Sequence, residues 1–308
     1  MDEVFDVMIL GAGAAGLTAG IYSSRARLST LILNEGTIGG QMIMTNEIAN
    51  YPGVETTKGF MVANIMKKQA KYFGCRIKSN IRITGYNLTG NVKTVHLTDG
   101  SSFQARSVIL APGGKPRPLN IPGEELFKGT GVSYCATCDG EFFTGKEIIV
   151  VGGGNSALEE AVALTTFASK VTIVHQFNNF QAFEHAIQEA KKNPKISFIM
   201  GSELREIKGN EKIEAVIIEN LATGKLLEMK TDGVFIFIGY LPNTESLKDI
   251  VNTNDRNEIV TDADMRTNIP GVFAAGDCIV KKYRQVTTSV ADGTIAALSA
   301  MEYLRSKN

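Results

Sequence analysis

Tryptophan is absent from this 308-residue chain, histidine occurs three times, cysteine four times and proline eight times. Four cysteines in a chain this long do not form the dense disulfide framework of a small secreted domain. Neither sign of charge is in excess, since 32 Lys and Arg balance 32 Asp and Glu. That balance argues against nucleic-acid binding, which normally shows a basic surplus or stripe. No apolar run approaches the roughly eighteen residues of a membrane-spanning helix. The start of the chain carries Asp2, Glu3 and Asp6, not the basic opening of a signal peptide. The expectation is therefore a cytoplasmic protein with no membrane or nucleic-acid partner. Against these scarcities stand 31 glycines and 44% hydrophobic residues. Glycine without proline suggests tight turns and close backbone approaches in an ordered α/β protein, and the length suggests two domains.

The glycines fall into a pattern. An apolar strand, Val7-Met8-Ile9-Leu10, runs into Gly11-Ala12-Gly13-Ala14-Ala15-Gly16, followed by a helical pattern to Arg25 and a second strand, Thr30–Leu33. This is the order of a dinucleotide-binding βαβ unit. Gly11 permits the tight turn, Gly13 lets backbone approach a pyrophosphate, and Gly16 lets helix pack against strand. The helix N-terminus offers amide donors to the phosphates. Glu35, 24 residues beyond Gly11, stands where an acid accepts bonds from ribose hydroxyls.

The same arrangement recurs at an offset of 141 residues. Ile148–Val151 is a strand, Gly152-Gly153-Gly154-Asn155-Ser156-Ala157 the turn, and Val171–Val174 the second strand. Such a repeat implies two dinucleotide-binding domains. At the offset, Glu35 corresponds to Gln176, and the loop His175-Gln176-Phe177-Asn178-Asn179-Phe180-Gln181 holds neither an acid for NAD nor an arginine for NADP. Near the C-terminus, Gly271–Asp277 reads as a buried strand ending in a carboxylate, followed by Arg284-Gln285-Val286 and a small-residue helix from Ser289 to Tyr303. We expect an α/β protein of two Rossmann-like three-layer domains, the second inserted in the first. The boundaries expected are 1–115 with 245–308 for the outer domain and 116–244 for the inserted one, with crossings at Lys115–Pro118 and Tyr240–Asn243.

Cys135-Ala136-Thr137-Cys138-Asp139 is the sharpest chemical signal. A C-x-x-C pair at a helix start lowers a thiol pKa and allows a reversible disulfide. No second pair or histidine pattern suggests zinc, and no metal site is expected. Asp139 is open between two readings, a proton shuttle for a leaving thiolate and a helix cap. Cys278 is expected to pack as a small hydrophobe and Cys75 to be buried and inert. Met42, Met44, Met61 and Met66 are expected as core or interface filler, and Lys67-Lys68 and Lys281-Lys282 as solvated charges.

In sequence order, Gly11–Gly16, Gly39-Gly40-Gln41, Asn50-Tyr51-Pro52-Gly53, Cys135–Gly140, Gly152–Ala157, Gly271–Asp277 and Arg284-Gln285-Val286 resemble the low-molecular-weight thioredoxin reductases over essentially the whole chain. The resemblance implies a homodimeric enzyme that reduces thioredoxin, with FAD in the outer domain. The residues it assigns to FAD are Gly11, Gly13, Ala14, Ala15, Gly16, Glu35, Gly40, Gln41, Asn50, Ala111, Gly113, Asp277, Arg284, Gln285 and Val286. It also implies an inserted domain that rotates to present the cysteines alternately to flavin and thioredoxin. On this resemblance Cys135 and Cys138 are the redox pair, Cys138 is the sulfur nearer the flavin, and Asp139 is the acid/base.

One motif departs. The family's NADPH signature, His-Arg-Arg with a further arginine downstream, reads here His175-Gln176-Phe177 and Gln181. Each arginine contact to a 2′-phosphate is a charge-assisted bond of about 1.5–3 kcal/mol. In this the chain is similar to the ferredoxin-dependent flavin thioredoxin reductases, and ferredoxin is the donor expected. NADH or NADPH in an atypical pose is the alternative. A reductase of another disulfide, or a flavoprotein without catalysis, remain further readings.

Overall fold

The computed structural model describes residues 3–44, 48 and 50–307, so Met1 and Asp2 of the acidic start lie outside the described residues. The chain divides into two units, one running through Lys115 and resuming at Leu241, the other spanning Pro116–Tyr240.

The first unit opens with β1 (Val4–Leu10), α1 (Ala14–Arg25), β2 (Thr30–Asn34), α2 (Gly59–Tyr72) and β3 (Arg76–Ser79). It continues through β4 (Ile83–Asn87), β5 (Lys93–Leu97) and β6 (Ser102–Leu110) to the short crossing strand β7 (Gly114–Pro116). Strands β3, β2, β1 and β6 are parallel neighbours, and β4 and β5 extend the sheet in antiparallel fashion. Alternate residues of β1 feed opposite faces. Val7 and Ile9 join one buried cluster with Leu17, Val62 and Phe273, while Met8 and Leu10 join another with Val95 and Leu110. A strand covered on both sides reads as an unbroken apolar run.

The second unit contains β8 (Val132–Ser133), α3 (Ala136–Asp139), β9 (Glu147–Val151), α4 (Asn155–Leu164), β10 (Lys170–Val174), α5 (Glu184–Lys192) and β11 (Ile196–Ile199). An antiparallel meander follows, β12 (Ser202–Gly209), β13 (Ile213–Asn220) and β14 (Leu226–Lys230), then β15 (Gly233–Ile236). Its main sheet is parallel, in the order β11-β10-β9-β15-β8. The chain returns through β16 (Tyr240–Pro242) to β17 (Val272–Ala274) and α6 (Val286–Arg305) of the first unit.

Strand β17 completes the first sheet by pairing with the C-terminal half of β6. Helix α6 starts at Val286, earlier than the sequence pattern suggests, because Gln285 and Thr288 form a reciprocal capping pair. Its small residues let it approach α1 closely. A Cβ on Gly293 would lie 2.2 Å from the Ala15 carbonyl oxygen. The architecture is the α/β fold of two Rossmann-type domains, with mixed parallel and antiparallel strands. No helix among the described residues is long and apolar enough to cross a membrane.

Candidate functional site

In the first unit the sequence-predicted residues gather at the C-terminal ends of β1, β2, β6 and β17, the edge where such sheets bind ligands. Gly11 adopts φ +111°, and a Cβ there would lie 2.1 Å from the Ala111 carbonyl oxygen. Gly16 is tighter still, since its Cβ would meet the Gly11 carbonyl at 2.0 Å. The Gly39 N–H donates to the Ala12 carbonyl (2.8 Å), bringing Gly40 against Gly13 so closely that a Gly40 Cβ would sit 3.1 Å from the Gly13 Cα. Helix α1 begins after an extended Gly13 with no side-chain cap, so its first-turn amides have no donor-saturating side chain. Together these glycines leave a side-chain-free cradle at a helix N-terminus, where a pyrophosphate fits.

Around it, Glu35 is exposed and its Oε1 accepts the Ile83 N–H (3.0 Å). Asn50 Nδ2 donates to Gln285 Oε1 at 3.3 Å. Asp277 is partly buried, and the desolvation raises its carboxyl pKa, while the Ser289 hydroxyl, donating at 2.8 Å, and the nearby Lys281 and Arg284 oppose the rise. Arg284 is held by Glu258 and by the Asp277 carbonyl, so its guanidinium is committed within the protein. Gly113, at φ +64°, ends the β6 edge beside Ala111. Lys281 is not the solvated charge its sequence suggests. It forms an ion pair with Asp292 in which both side chains are largely buried. Met42 and Met66 are core, whereas Met44 and Met61 are exposed.

In the second unit Cys135 and Cys138 form a disulfide with Cα atoms 5.3 Å apart. Cys135 precedes the single turn α3, and Cys138 lies within it. Asp139 does not cap a helix with its side chain. Its carboxyl oxygen Oδ2 accepts the Ser133 hydroxyl at 2.6 Å, and burial, the larger influence, raises its pKa against that bond. Cys75 and Cys278 are buried and unpaired, their thiols pushed up by burial to about 11 and about 12. At neutral pH they stay protonated and weakly nucleophilic. A disulfide flanked by an acid whose pKa is raised is equipped for two-electron exchange with another disulfide.

The chain matches the pyridine nucleotide-disulphide oxidoreductase family over residues 5–293. It belongs to that family. A thioredoxin reductase of Peptoclostridium acidaminophilum is 43% identical over 99% of this chain and 98% of its own. A 34.2 kDa protein in the rubredoxin operon of Clostridium pasteurianum is also 43% identical, over 99% of both chains. The thioredoxin reductase structure from Streptococcus pyogenes MGAS5005 superposes with a TM-score of 0.93 at 42% identity, covering 99% of this chain and 100% of that one. Within the family the chain groups with the low-molecular-weight thioredoxin reductases, as its motifs indicate.

The nucleotide turn of the second unit keeps the family plan and changes its surroundings. Gly152 has φ +137° and α4 starts after an uncapped, extended Gly154. The following loop folds back on it. The Gln181 N–H donates to the Gly153 carbonyl (2.8 Å) and the Phe183 N–H to Asn155 Oδ1 (2.7 Å). His175 is buried between Phe177 and Phe180, its pKa lowered by that burial, and a Cβ on Gly153 would lie 2.4 Å from its Nε2. The residues sequence reasoning missed are Ser133, Ser289 and Asn34, whose Oδ1 accepts the Ala12 N–H at 2.9 Å. Single hydroxyls and amides far from any motif leave no periodic signal. Asn34 alone was findable, as the residue aligned with His175 across the repeat.

Proposed function

We propose that this chain reduces the disulfide of thioredoxin, carrying two electrons from FAD in the first unit through Cys135–Cys138, with reduced ferredoxin as donor. The observation that carries the reading is the Cys135–Cys138 disulfide beside a partly buried Asp139 whose carboxyl pKa is raised by that burial. When bound, the flavin gathers single-electron deliveries into a two-electron reduction.

The chain's own residues fit that cofactor. Gly11, Gly13 and Gly16 with Ala14 and Ala15 would hold the pyrophosphate, and Glu35 the ribose hydroxyls. Gly40, Gln41, Asn50, Ala111, Gly113, Asp277, Gln285 and Val286 would line the remainder, with Arg284 acting through backbone because its side chain is engaged by Glu258. In the redox unit, two electrons break the Cys135–Cys138 bond and two protons complete the dithiol. A thiolate then attacks the disulfide of thioredoxin, forming a mixed disulfide, and Asp139 protonates the departing sulfur. The second enzyme sulfur closes Cys135–Cys138 and releases the thioredoxin dithiol. Two reduced ferredoxins supply the two electrons, and a ferredoxin near about −400 mV facing thioredoxin near about −270 mV leaves roughly 6 kcal/mol.

The donor reading rests on the loop from His175 to Phe183, which carries no lysine or arginine and whose histidine is held toward neutrality by burial. The intact turn Gly152–Ala157 and the uncapped start of α4 favour the second reading, a nicotinamide donor bound without 2′-phosphate contacts. Met61, Ile65 and Tyr72 form an exposed apolar stripe on α2, and we read it as part of a homodimer face.

One experiment separates the donors. The purified, flavin-loaded protein is mixed anaerobically with thioredoxin and, in parallel, reduced ferredoxin, NADH or NADPH, and thioredoxin thiols are counted. Ferredoxin is expected to be fastest. Rapid flavin reduction by micromolar NADPH would overturn the donor assignment, and failure with every donor, dithionite included, would overturn the reductase.

A further inference from the structure

We infer that Ser133 is a positioning residue for the redox centre, bridging the Cys135 amide to the Asp139 carboxyl and so setting the orientation and the working pH of that acid. The inference rests on the reading of Asp139 as the acid of the disulfide exchange.

Ser133 ends the two-residue strand β8, which pairs in parallel with β15 through Val132 with Val234 and Ser133 with Phe235. The sheet thus fixes its backbone, and the residue is 4% exposed. Its oxygen accepts the Cys135 N–H at 3.1 Å. Its single proton has two oxygens in reach, Asp139 Oδ2 at 2.6 Å and the Cys135 carbonyl at 3.3 Å. The shorter, charge-assisted bond takes the proton. The Asp139 N–H donates back to the Cys135 carbonyl at 3.2 Å, closing a ring of bonds through residues 133, 135 and 139. The acid is therefore tied, through Ser133 and its own amide, to the backbone of Cys135.

A hydroxyl donating to a carboxylate favours the charged form, whereas burial favours the neutral one. Burial and Ser133 are the influences that set the Asp139 carboxyl. The titratable groups on neighbouring elements are Glu141 in the next turn, Glu159 and Glu160 on α4, and Tyr134, whose hydroxyl is bonded to Glu124. They do not enter that balance. Removing the Ser133 hydroxyl leaves burial unopposed, so Asp139 keeps its proton to higher pH.

The test uses the full flavin-loaded chain. The carboxyl of Asp139 is titrated by infrared difference spectroscopy, with Asp139→Asn as the blank, and thioredoxin reduction driven by dithionite is followed against pH. In Ser133→Ala the carboxyl midpoint is expected to rise by about one pH unit, and the limb on which activity falls with rising pH to move up with it. Ser133→Thr, which keeps the hydroxyl, is expected to restore both. If Ser133→Ala does not fold, Ser133→Thr against the equally shaped Ser133→Val makes the same comparison. A midpoint that does not move, or one that Thr fails to restore, overturns the inference. The titration needs no thioredoxin, so a protein that titrates as expected but turns over no thioredoxin refutes the parent reading alone.

Discussion

The turns Gly11–Gly16 and Gly152–Ala157 begin alike and close differently. Both first glycines take positive φ, +111° and +137°, and both helices start without a side-chain cap. The divergence lies at the end of the second strand. In the first unit Asn34 accepts the Ala12 N–H and Glu35 follows with an exposed carboxylate. In the second, His175 stands at the place of Asn34, and its ring occupies the space that a Cβ at position 153 would need. The repeat accordingly has alanine at 12 and glycine at 153. A large side chain at the strand end forces a small one in the turn, a steric exchange visible within one chain. The lesson is that a glycine-rich turn reports a fold, whereas what reads the nucleotide is the side chain beyond the second strand.

The largest expected effect separates the duties of the two units. Cys135→Ser or Cys138→Ser is expected to bring thioredoxin reduction to background while flavin absorbance per chain stays at the wild-type value. Gly11→Ala, whose Cβ would meet the Ala111 carbonyl at 2.1 Å, is expected to lose flavin, while its counterpart Gly152→Ala keeps it. Equal flavin loss from both glycine variants would break the division.

Next in size is restoration of charge to the second unit. Gln176→Arg, Phe177→Arg and Gln181→Arg together are expected to lower the KM for NADPH by at least about 100-fold, at about 1.5–3 kcal/mol per charged contact. The rate with ferredoxin is expected to stay as it was. An unchanged NADPH dependence would show that the missing arginines are not what excludes it.

The steric exchange is tested by thermal unfolding. Gly153→Ala is expected to destabilise the protein by about 1–3 kcal/mol, because the buried His175 ring must move. Adding His175→Asn, the pairing of the first unit, is expected to recover part of that loss, whereas strictly additive effects would dissolve the comparison. The smallest effect concerns pH. Burial holds the His175 imidazole below its usual 6.5, against the opposing hydrogen bond to the Asn179 backbone. The unfolded chain therefore takes up a proton that the folded one refuses, so this stability is present above pH 6.5 and declines as pH falls. The melting temperature of His175→Asn is expected to fall less on acidification than that of the native chain.

Much of the architecture was legible in local patterning. The βαβ spacing, the repeat at 141 residues and the C-x-x-C pair each need only neighbours in sequence to be recognised. The helix starts were less legible. Helix α1 begins at Ala14 and α6 at Val286, both earlier than their apolar patterns, because caps and small residues carry little periodicity. The charge at Lys281 was misread because Asp292, eleven residues away, is a partner only after α6 packs.

By itself the sequence determined the fold class, the two turns and the identity of the redox cysteines, since these follow from backbone sterics and short-range spacing. The tertiary structure alone decided how those groups are tuned. Burial raises the Asp139 carboxyl pKa against the opposing Ser133 hydrogen bond, the Arg284 guanidinium is engaged by Glu258, and burial between Phe177 and Phe180 lowers the His175 pKa. Solvent exclusion and long-range partners tune those groups, and neither exists until the chain has folded.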